Sequence, residues 1–393
     1  METDISVLQG TASNLDIDDE SVDLIITSPP YPMVEMWDGI FSEQEKRISA
    51  SLSEARGREA FQLMHKVLDK AWAESYRVLK YGGIACINIG DATRTLNGDF
   101  QLYSNHSRIL SYCLDLGFAS LPDILWRKPT NAPNKFMGSG MLPVGAYVTY
   151  EHEYILVLRK GARREFKSVA DKELRRRSAF FWEERNVWFS DVWFDIRGAG
   201  QELVEKTARQ RSAAFPFELA YRLICMFSIN EDVVLDPFAG TGTTLAASLA
   251  SGRNAIGIEI DETFIPSICS LIESTPPIAN AYNRERLLRH IQFVENRIEE
   301  KGPLKHSNVH YGFPVMTTQE KELIIPEVNS VKTPEKANFL VSYLGKPQPD
   351  FVNLCSGNQF VGKKEKKPAQ VVNKRKAHHL EETPEVAQAQ LQL

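Results

Sequence analysis

The chain has 393 residues, 43% hydrophobic and 10% aromatic, which are globular values for one large domain with attachments or for two domains. A formal net charge of −5 excludes a globally basic nucleic-acid binder and leaves any such surface to a local patch. Five scattered cysteines without a C-x-x-C pair argue against a disulfide framework or a zinc site, and no leader pattern or membrane-length apolar run occurs, so the expectation is a soluble, cytoplasmic protein without a metal.

Taken in chain order, Ser21 to Tyr31 reads as a short buried strand that stops at a Pro-Pro pair. Glu59 to Leu79 carries apolar residues at helical spacing, and Tyr81 to Ile89, opening on Gly82-Gly83, continues as a strand. Ser107 to Leu116 predicts a helix with Gly117 as its C-cap; Ile124 to Trp126 and Tyr154 to Leu158 predict strands. Arg159 to Arg177 holds nine basic and three acidic residues, and a run rich in Phe and Trp follows it. Pro216 to Phe227 has a helical pattern. Val233 to Leu235, a glycine turn at Gly240 to Gly242, Thr243 to Ala250 and Ala255 to Ile260 then form one strand-helix-strand unit. Arg284 to Glu300 predicts a charged amphipathic helix, and Lys363 to Leu393 has little to bury, so it is expected to be disordered. The alternation argues for an α/β fold with a doubly wound sheet, whose functional loops lie at the carboxyl ends of the strands.

Two such loops carry chemistry. In Val233 to Thr244 a strand runs into G-x-G and then a helix, with Glu259 near the end of the next strand, where a carboxylate can hold both ribose hydroxyls. Leu245 replaces the third glycine of a dinucleotide fingerprint and no lysine follows the turn, so the loop fits a nucleoside cofactor better than a Walker phosphate site. In Thr27-Ser28-Pro29-Pro30-Tyr31 the Ser28 hydroxyl and the Pro29 carbonyl are acceptors suited to the N–H groups of an aryl amine. The two prolines stiffen the loop, and Tyr31 offers a face for a flipped base, a contact worth about 1–3 kcal/mol. Either loop alone is compatible with a plain turn; together they are specific.

At these residues the chain resembles the amino-methyltransferases of DNA, in the permuted beta-group order where the target half precedes the cofactor half. The resemblance covers most of Ile5 to Asp261. It implies an S-adenosylmethionine-dependent methyltransferase fold, Rossmann-like, with a mixed doubly wound sheet and an inserted target-recognition region. Ser28, Pro29, Pro30 and Tyr31 match the tetrad that binds the target amine. Asp236, Pro237, Phe238, Gly240, Gly242 and Thr243 match the cofactor loop, Glu259 the ribose acid, and Phe215 and Pro216 the segment at the methionine end. Trp126 and Lys128, with Asn131 to Phe136 and Glu151 to Glu153, resemble loops flanking the target base. The target-recognition region falls on Arg159 to about Glu205, where Arg163, Arg164, Arg175, Arg176 and Arg177 would contact DNA.

The implied organisation is a target-amine half over 1–158, a recognition region over 159–205, a cofactor half over 206–275, an extension of unassigned role over 276–362 and a tail over 363–393. Two departures stand out: Gly10-Thr11 replaces the family's Gly-Asp, which leaves the adenine partner unassigned, and Ser212-Ala213 replaces His-Pro. No Pro-Cys nucleophile pair occurs, in keeping with direct transfer rather than cytosine C5 chemistry. Serine at the head of the tetrad favours cytosine N4 over adenine N6 by family correlation. The implied partners are double-stranded DNA and, functionally, a restriction endonuclease. The competing readings are adenine methylation, an RNA guanine-N2 or protein methyltransferase, a nicotinamide oxidoreductase and a non-catalytic DNA-binding module.

Overall fold

A computed structural model describes residues 1–128, 137–197 and 215–352. The expected tail over 363–393, Asn131 to Phe136, and residues 198–205 of the basic and aromatic stretch lie outside the described residues.

The centre is a mixed sheet of eleven strands: β1 (Glu2–Gln9), β2 (Val22–Thr27), β3 (Leu79–Ile89), β4 (Phe118–Ser120), β5 (Ile124–Arg127), β6 (His152–Lys160), β7 (Val192–Trp193), β8 (Val233–Asp236), β9 (Asn254–Glu259), β10 (Val328–Glu335) and β11 (Asn338–Tyr343). Their order is β7-β5-β6-β3-β2-β8-β9-β1-β11-β10, with β4 paired to β6. The inner strands β3, β2, β8, β9 and β1 are parallel; β6 runs antiparallel to β3, and β11 antiparallel to β1.

Alternation assigns the two faces. Leu24 and Ile26 of β2 enter one core and Ile25 the other, as the two-residue period of a strand requires. On the first face pack α7 (Phe217–Phe227), α8 (Thr243–Ser251) and α9 (Ile265–Lys301). On the second pack α1 (Asp38–Gln44), α2 (Arg47–Ser53), α3 (Gly57–Val78) and α4 (Asn105–Leu116), with Trp72 of α3 fully enclosed. Burying one large apolar side chain of this kind contributes about 1.5–3 kcal/mol. Gly117 ends α4 in the left-handed region at φ +105, as its C-cap role demands.

The core elements read from the sequence are present, and three features differ. The boundary drawn at 275 falls inside α9, which runs through Pro276 and Pro277 without a break. Ile272, Thr275 and Ala279 of that stretch are buried, and this packing outweighs the donors the prolines remove. The extension after it is part of the main fold, since the β10–β11 hairpin continues the sheet beside β1, and the Tyr343 hydroxyl donates to the Leu249 carbonyl. Lastly, the basic stretch contains α5 (Val169–Arg177), followed by α6 (Trp182–Trp188). Phe181, at the start of α6, packs into a third core with Leu287, Tyr311, Phe313 and Phe351.

The order of strand addition, not the strand direction, reverses between the parallel strands β2 and β8: from β8 the chain builds outward through β9, and from β2 outward through β3. A crevice therefore opens at their carboxyl ends. Thr27 ends one strand and Asp236 the other.

Candidate active site

The loop after β8 is shaped by glycine. Gly240 and Gly242 have φ of +54 and +83, and a Cβ on Gly242 would stand 2.7 Å from Ile268 Cγ2, so only glycine fits there. Gly242 also caps α8 without a side-chain hydrogen bond, leaving first-turn amides of that helix to bind a ligand. Glu259 Oε2 accepts from Gly240 N at 2.8 Å and Oε1 from Asp261 N at 2.9 Å. Each oxygen keeps a further lone pair for a ribose hydroxyl. Burial pushes the Glu259 carboxyl above its ordinary pKa, against these two backbone bonds. Asp236 is deeply buried and bonded on both oxygens: Oδ1 accepts from Thr27 Oγ1 (2.7 Å) and Phe238 N (3.1 Å), and Oδ2 from Thr244 Oγ1 (2.6 Å). Its desolvation raises the pKa to about 6 despite those bonds.

The loop after β2 is held by side chains. The Tyr31 hydroxyl donates to Glu153 Oε2 at 3.0 Å and accepts from Asn88 Nδ2 at 2.9 Å. Glu153 also accepts from Asn88 (2.7 Å) and from Lys128 Nζ (3.0 Å). Ser28 Oγ lies 3.1 Å from the same hydroxyl. A phenol has one proton, here given to Glu153, so the Ser28 hydroxyl must be the donor in that last contact. Its own lone pairs are then left to accept from a substrate N–H. Burial first, and the Glu153 charge second, raise the Tyr31 pKa well above its ordinary value, so the phenol stays protonated and keeps this direction.

Both loops line one cavity of about 600 Å³, into which Ser28, Pro29, Pro30, Asp236 to Gly240, Thr243, Glu259 and Phe215 face. Pro216 is the N-cap of α7 behind Phe215. Two segments of the wall are not evident from the sequence. Met36 to Gln44, largely α1, covers one side, and the Arg94 guanidinium holds Asp38 of that helix through bonds of 2.8 and 2.7 Å. A seven-residue helix with one buried apolar residue has too little periodicity to be seen in sequence. Gly10 to Ser13, where the family's acid is missing, also lines the cavity, as do Ile260 and Phe264, and Gly10 N donates to the Glu259 carbonyl.

Several residues named from the sequence have other partners in the structure. Tyr31 is only 8% exposed, and its hydroxyl joins Ser28 to Glu153 and Asn88. Trp126 is 1% exposed, with its indole N–H on the Ile196 carbonyl, and packs in the core. Lys128 is spent on Glu153, inside the target network. The exposed Arg163 and the four other arginines follow β6 at its far end, where the parallel strands begin. Arg164 pairs there with Asp232 at 2.7 Å and Asp23 at 3.5 Å, at the amino ends of β8 and β2. Arg175 stacks on Phe166, Arg176 pairs with Glu322 at 2.9 Å, and the Arg177 carbonyl accepts from Ile324 N. These groups dock α5 to the extension, at the end of the sheet opposite Ser28.

The features that define the class are a mixed α/β sheet whose switch-point crevice joins a glycine cofactor loop to an S-P-P-Y loop. The DNA methylase family of N6/N4 type matches residues 22–270, and the chain belongs to that family. It is 50% identical to the type II methyltransferase M.MthZI of Methanothermobacter thermautotrophicus over 316 residues, 80% of this chain and 88% of the relative. It is 48% identical to the type II methyltransferase M.MjaI of Methanocaldococcus jannaschii, covering 68% of this chain and 90% of that one. Among solved structures it is similar to TTHA0409 of Thermus thermophilus, described as a DNA modification methylase and complexed with S-adenosyl-L-methionine, with a TM-score of 0.54, 31% identity, and coverage of 70% of this chain and 96% of that one. Among the described residues no helix is long and apolar enough to cross a membrane.

Proposed function

We propose that this type II methyltransferase transfers a methyl group from S-adenosylmethionine to cytosine N4 in double-stranded DNA, at a specific site, as the modification half of a restriction system with a partner endonuclease. The observation that carries the reading is that Ser28 lines a cavity shared with the cofactor loop while its hydroxyl, donating to Tyr31, keeps the acceptor capacity that an exocyclic amine requires.

The cavity fits the cofactor in its chemistry. Glu259 has acceptor capacity left for the ribose, the α8 amides and the Gly240–Gly242 backbone suit a close-lying ligand, and Phe215 and Phe238 supply apolar walls. Bound S-adenosylmethionine supplies a methyl carbon made electrophilic by a sulfonium. The chain then has to present a nucleophile to it. An aryl amine is weakly nucleophilic because its lone pair is delocalised into the ring. Ser28 Oγ and the Pro29 carbonyl hold the two N–H groups and favour the tetrahedral nitrogen that attacks, and stiff backbone at the two prolines keeps both acceptors in place beforehand. The base reaches the cavity only when flipped out of the duplex.

DNA then approaches the carboxyl ends of the strands. Two hairpins stand there. Ala92–Leu96 with Asp99–Tyr103 follows β3, and Met137–Gly138 with Ala146–Tyr147 lies between β5 and β6. They touch through the stacked rings of Phe100 and Tyr147, 4.8 Å apart. The second exposes Met141 (81%), Leu142, Val144 (96%) and Val148. Apolar side chains so exposed are suited to thymine methyls and unstacked base steps.

The test is methyl transfer to unmethylated genomic DNA with labelled cofactor, followed by nucleoside mass spectrometry. N4-methylcytosine is expected. N6-methyladenine would overturn the choice of base and keep the reaction; neither product would overturn DNA as substrate.

A further inference from the structure

We propose that Thr27 is a positioning residue that registers the target loop against the cofactor loop through the Asp236 carboxylate, in support of the methyl-transfer reading above. In-line transfer depends on the distance and angle between a nitrogen held by one loop and a methyl group held by the other. The two loops leave neighbouring strands, and the paired register of β2 and β8 ends at Leu235↔Ile25. Two residues farther along β2, beyond the last backbone pair, a side-chain bond continues the link: Thr27 Oγ1 donates to Asp236 Oδ1 at 2.7 Å.

The same carboxylate holds the cofactor loop on both sides of its glycine turn. Oδ1 also accepts from Phe238 N, and Oδ2 accepts from Thr244 Oγ1 in the first turn of α8. Thr27, Asp236 and Thr244 are 0%, 2% and 1% exposed, so water does not compete for these bonds. Charge-assisted hydrogen bonds in a dry environment are short and hold geometry tightly. Thr27 is bonded covalently to Ser28 and Asp236 to Pro237, and Ser28 and Pro237 both face the cavity. A shift of one loop relative to the other must therefore stretch the Thr27–Asp236 bond first. In sequence Asp236 belongs to the cofactor loop alone, and Thr27 is simply the last residue of a strand.

The experiment compares wild type, Thr27→Val and Thr27→Ser by single-turnover methyl transfer at saturating cofactor and DNA. Valine removes the hydroxyl and keeps the branched shape, and Asp236 Oδ1 retains the Phe238 amide, so the carboxylate oxygen is not left without a donor. We expect the Thr27→Val rate to fall about 100-fold, the scale of a misplaced reacting group, with cofactor affinity by calorimetry unchanged. Thr27→Ser, which keeps the hydroxyl, should recover most of that rate. A Thr27→Val enzyme as fast as wild type overturns the proposal. So does a loss of cofactor affinity equal to the loss of rate, or a serine variant no faster than the valine one. Hydrogen exchange at the Ser28 and Tyr31 amides reads the same brace without catalysis. Exchange faster in Thr27→Val than in Thr27→Ser is expected, and equal exchange overturns the brace. Should wild type methylate neither base, the functional reading fails while the exchange measurement still decides this one.

Discussion

The two ends of the central sheet make an instructive pair. At the amino end, Arg164 meets Asp23 and Asp232, Lys80 meets Asp23 at 2.8 Å, and α5 presents a row of arginines. At the carboxyl end, Glu153, Lys128, Asn88 and Tyr31 form a network around one serine, beside apolar hairpins. The first end carries the conspicuous charge and the second the proposed chemistry. Ion pairs at the amino end tie successive elements together, and the exposed one between Arg176 and Glu322 is worth little, about 0–1 kcal/mol. The groups at the carboxyl end are fewer, but each has a proton direction set by its neighbours. Charge density in a sequence locates basic residues; strand direction decides whether they can reach the site.

The largest effect that would break this contrast belongs to Ser28. Ser28→Ala removes the acceptor and should slow transfer about 100- to 1,000-fold, as loss of a site hydrogen bond does, while cofactor affinity stays put. A collapse of cofactor affinity in a folded Ser28→Ala protein would show that the two loops do not divide the work. Tyr31→Phe sharpens the point, because it keeps the ring and deletes only the hydroxyl that directs Ser28. A rate about tenfold lower is expected, the equivalent of one ordinary hydrogen bond. A rate left intact by Tyr31→Phe would mean that the direction of the Ser28 proton is immaterial.

On the DNA side, Leu142→Ser combined with Met141→Ser should raise the KM for DNA about tenfold or more with cofactor binding unaffected, since each side chain contributes about 1.5–3 kcal/mol when covered. Arg175→Ala with Arg176→Ala is the counterpart at the opposite end. It should change stability by about 0.5 kcal/mol or less and leave DNA affinity in place. The reverse pattern, with the arginines decisive and the hairpin silent, would return the recognition surface to α5.

The smallest expected effect concerns pH. Asp236 has its pKa raised to about 6 by burial, from an ordinary 3.8. A carboxyl whose folded pKa lies above its unfolded one contributes stability fully present below about 3.8 and lost as pH rises through about 6. At pH 7 to 8 the buried carboxylate therefore opposes folding. Asp236→Asn should raise Tm relative to wild type above pH 6 and lose that advantage toward pH 4, while slowing transfer through the weakened brace. An advantage independent of pH would show that Asp236 titrates normally.

Much of this was legible in the sequence because it is local. Hydrophobic runs mark β2, β3, β8 and β9, the glycines mark the turn before α8, and the S-P-P-Y and Phe-x-Gly-x-Gly loops stand at the strand ends where the pattern puts them. What stayed hidden involves partners far apart in the chain. Glu153 lies 122 residues from Tyr31, and Thr27 lies 209 from Asp236. The β10–β11 hairpin completes the sheet beside β1 from the other end of the chain. The burial of Trp126 has the same origin, since it follows from the pairing of β7 with β5 across a long stretch of chain. A sequence by itself determines which loops carry glycine, proline and acceptor atoms, because backbone freedom and side-chain chemistry belong to single residues. Which end of the sheet each loop occupies, which hydroxyl donates to which oxygen, and whether an arginine faces DNA or another helix are set by tertiary structure, because they depend on strand order and on bonds between segments that only the folded chain brings together.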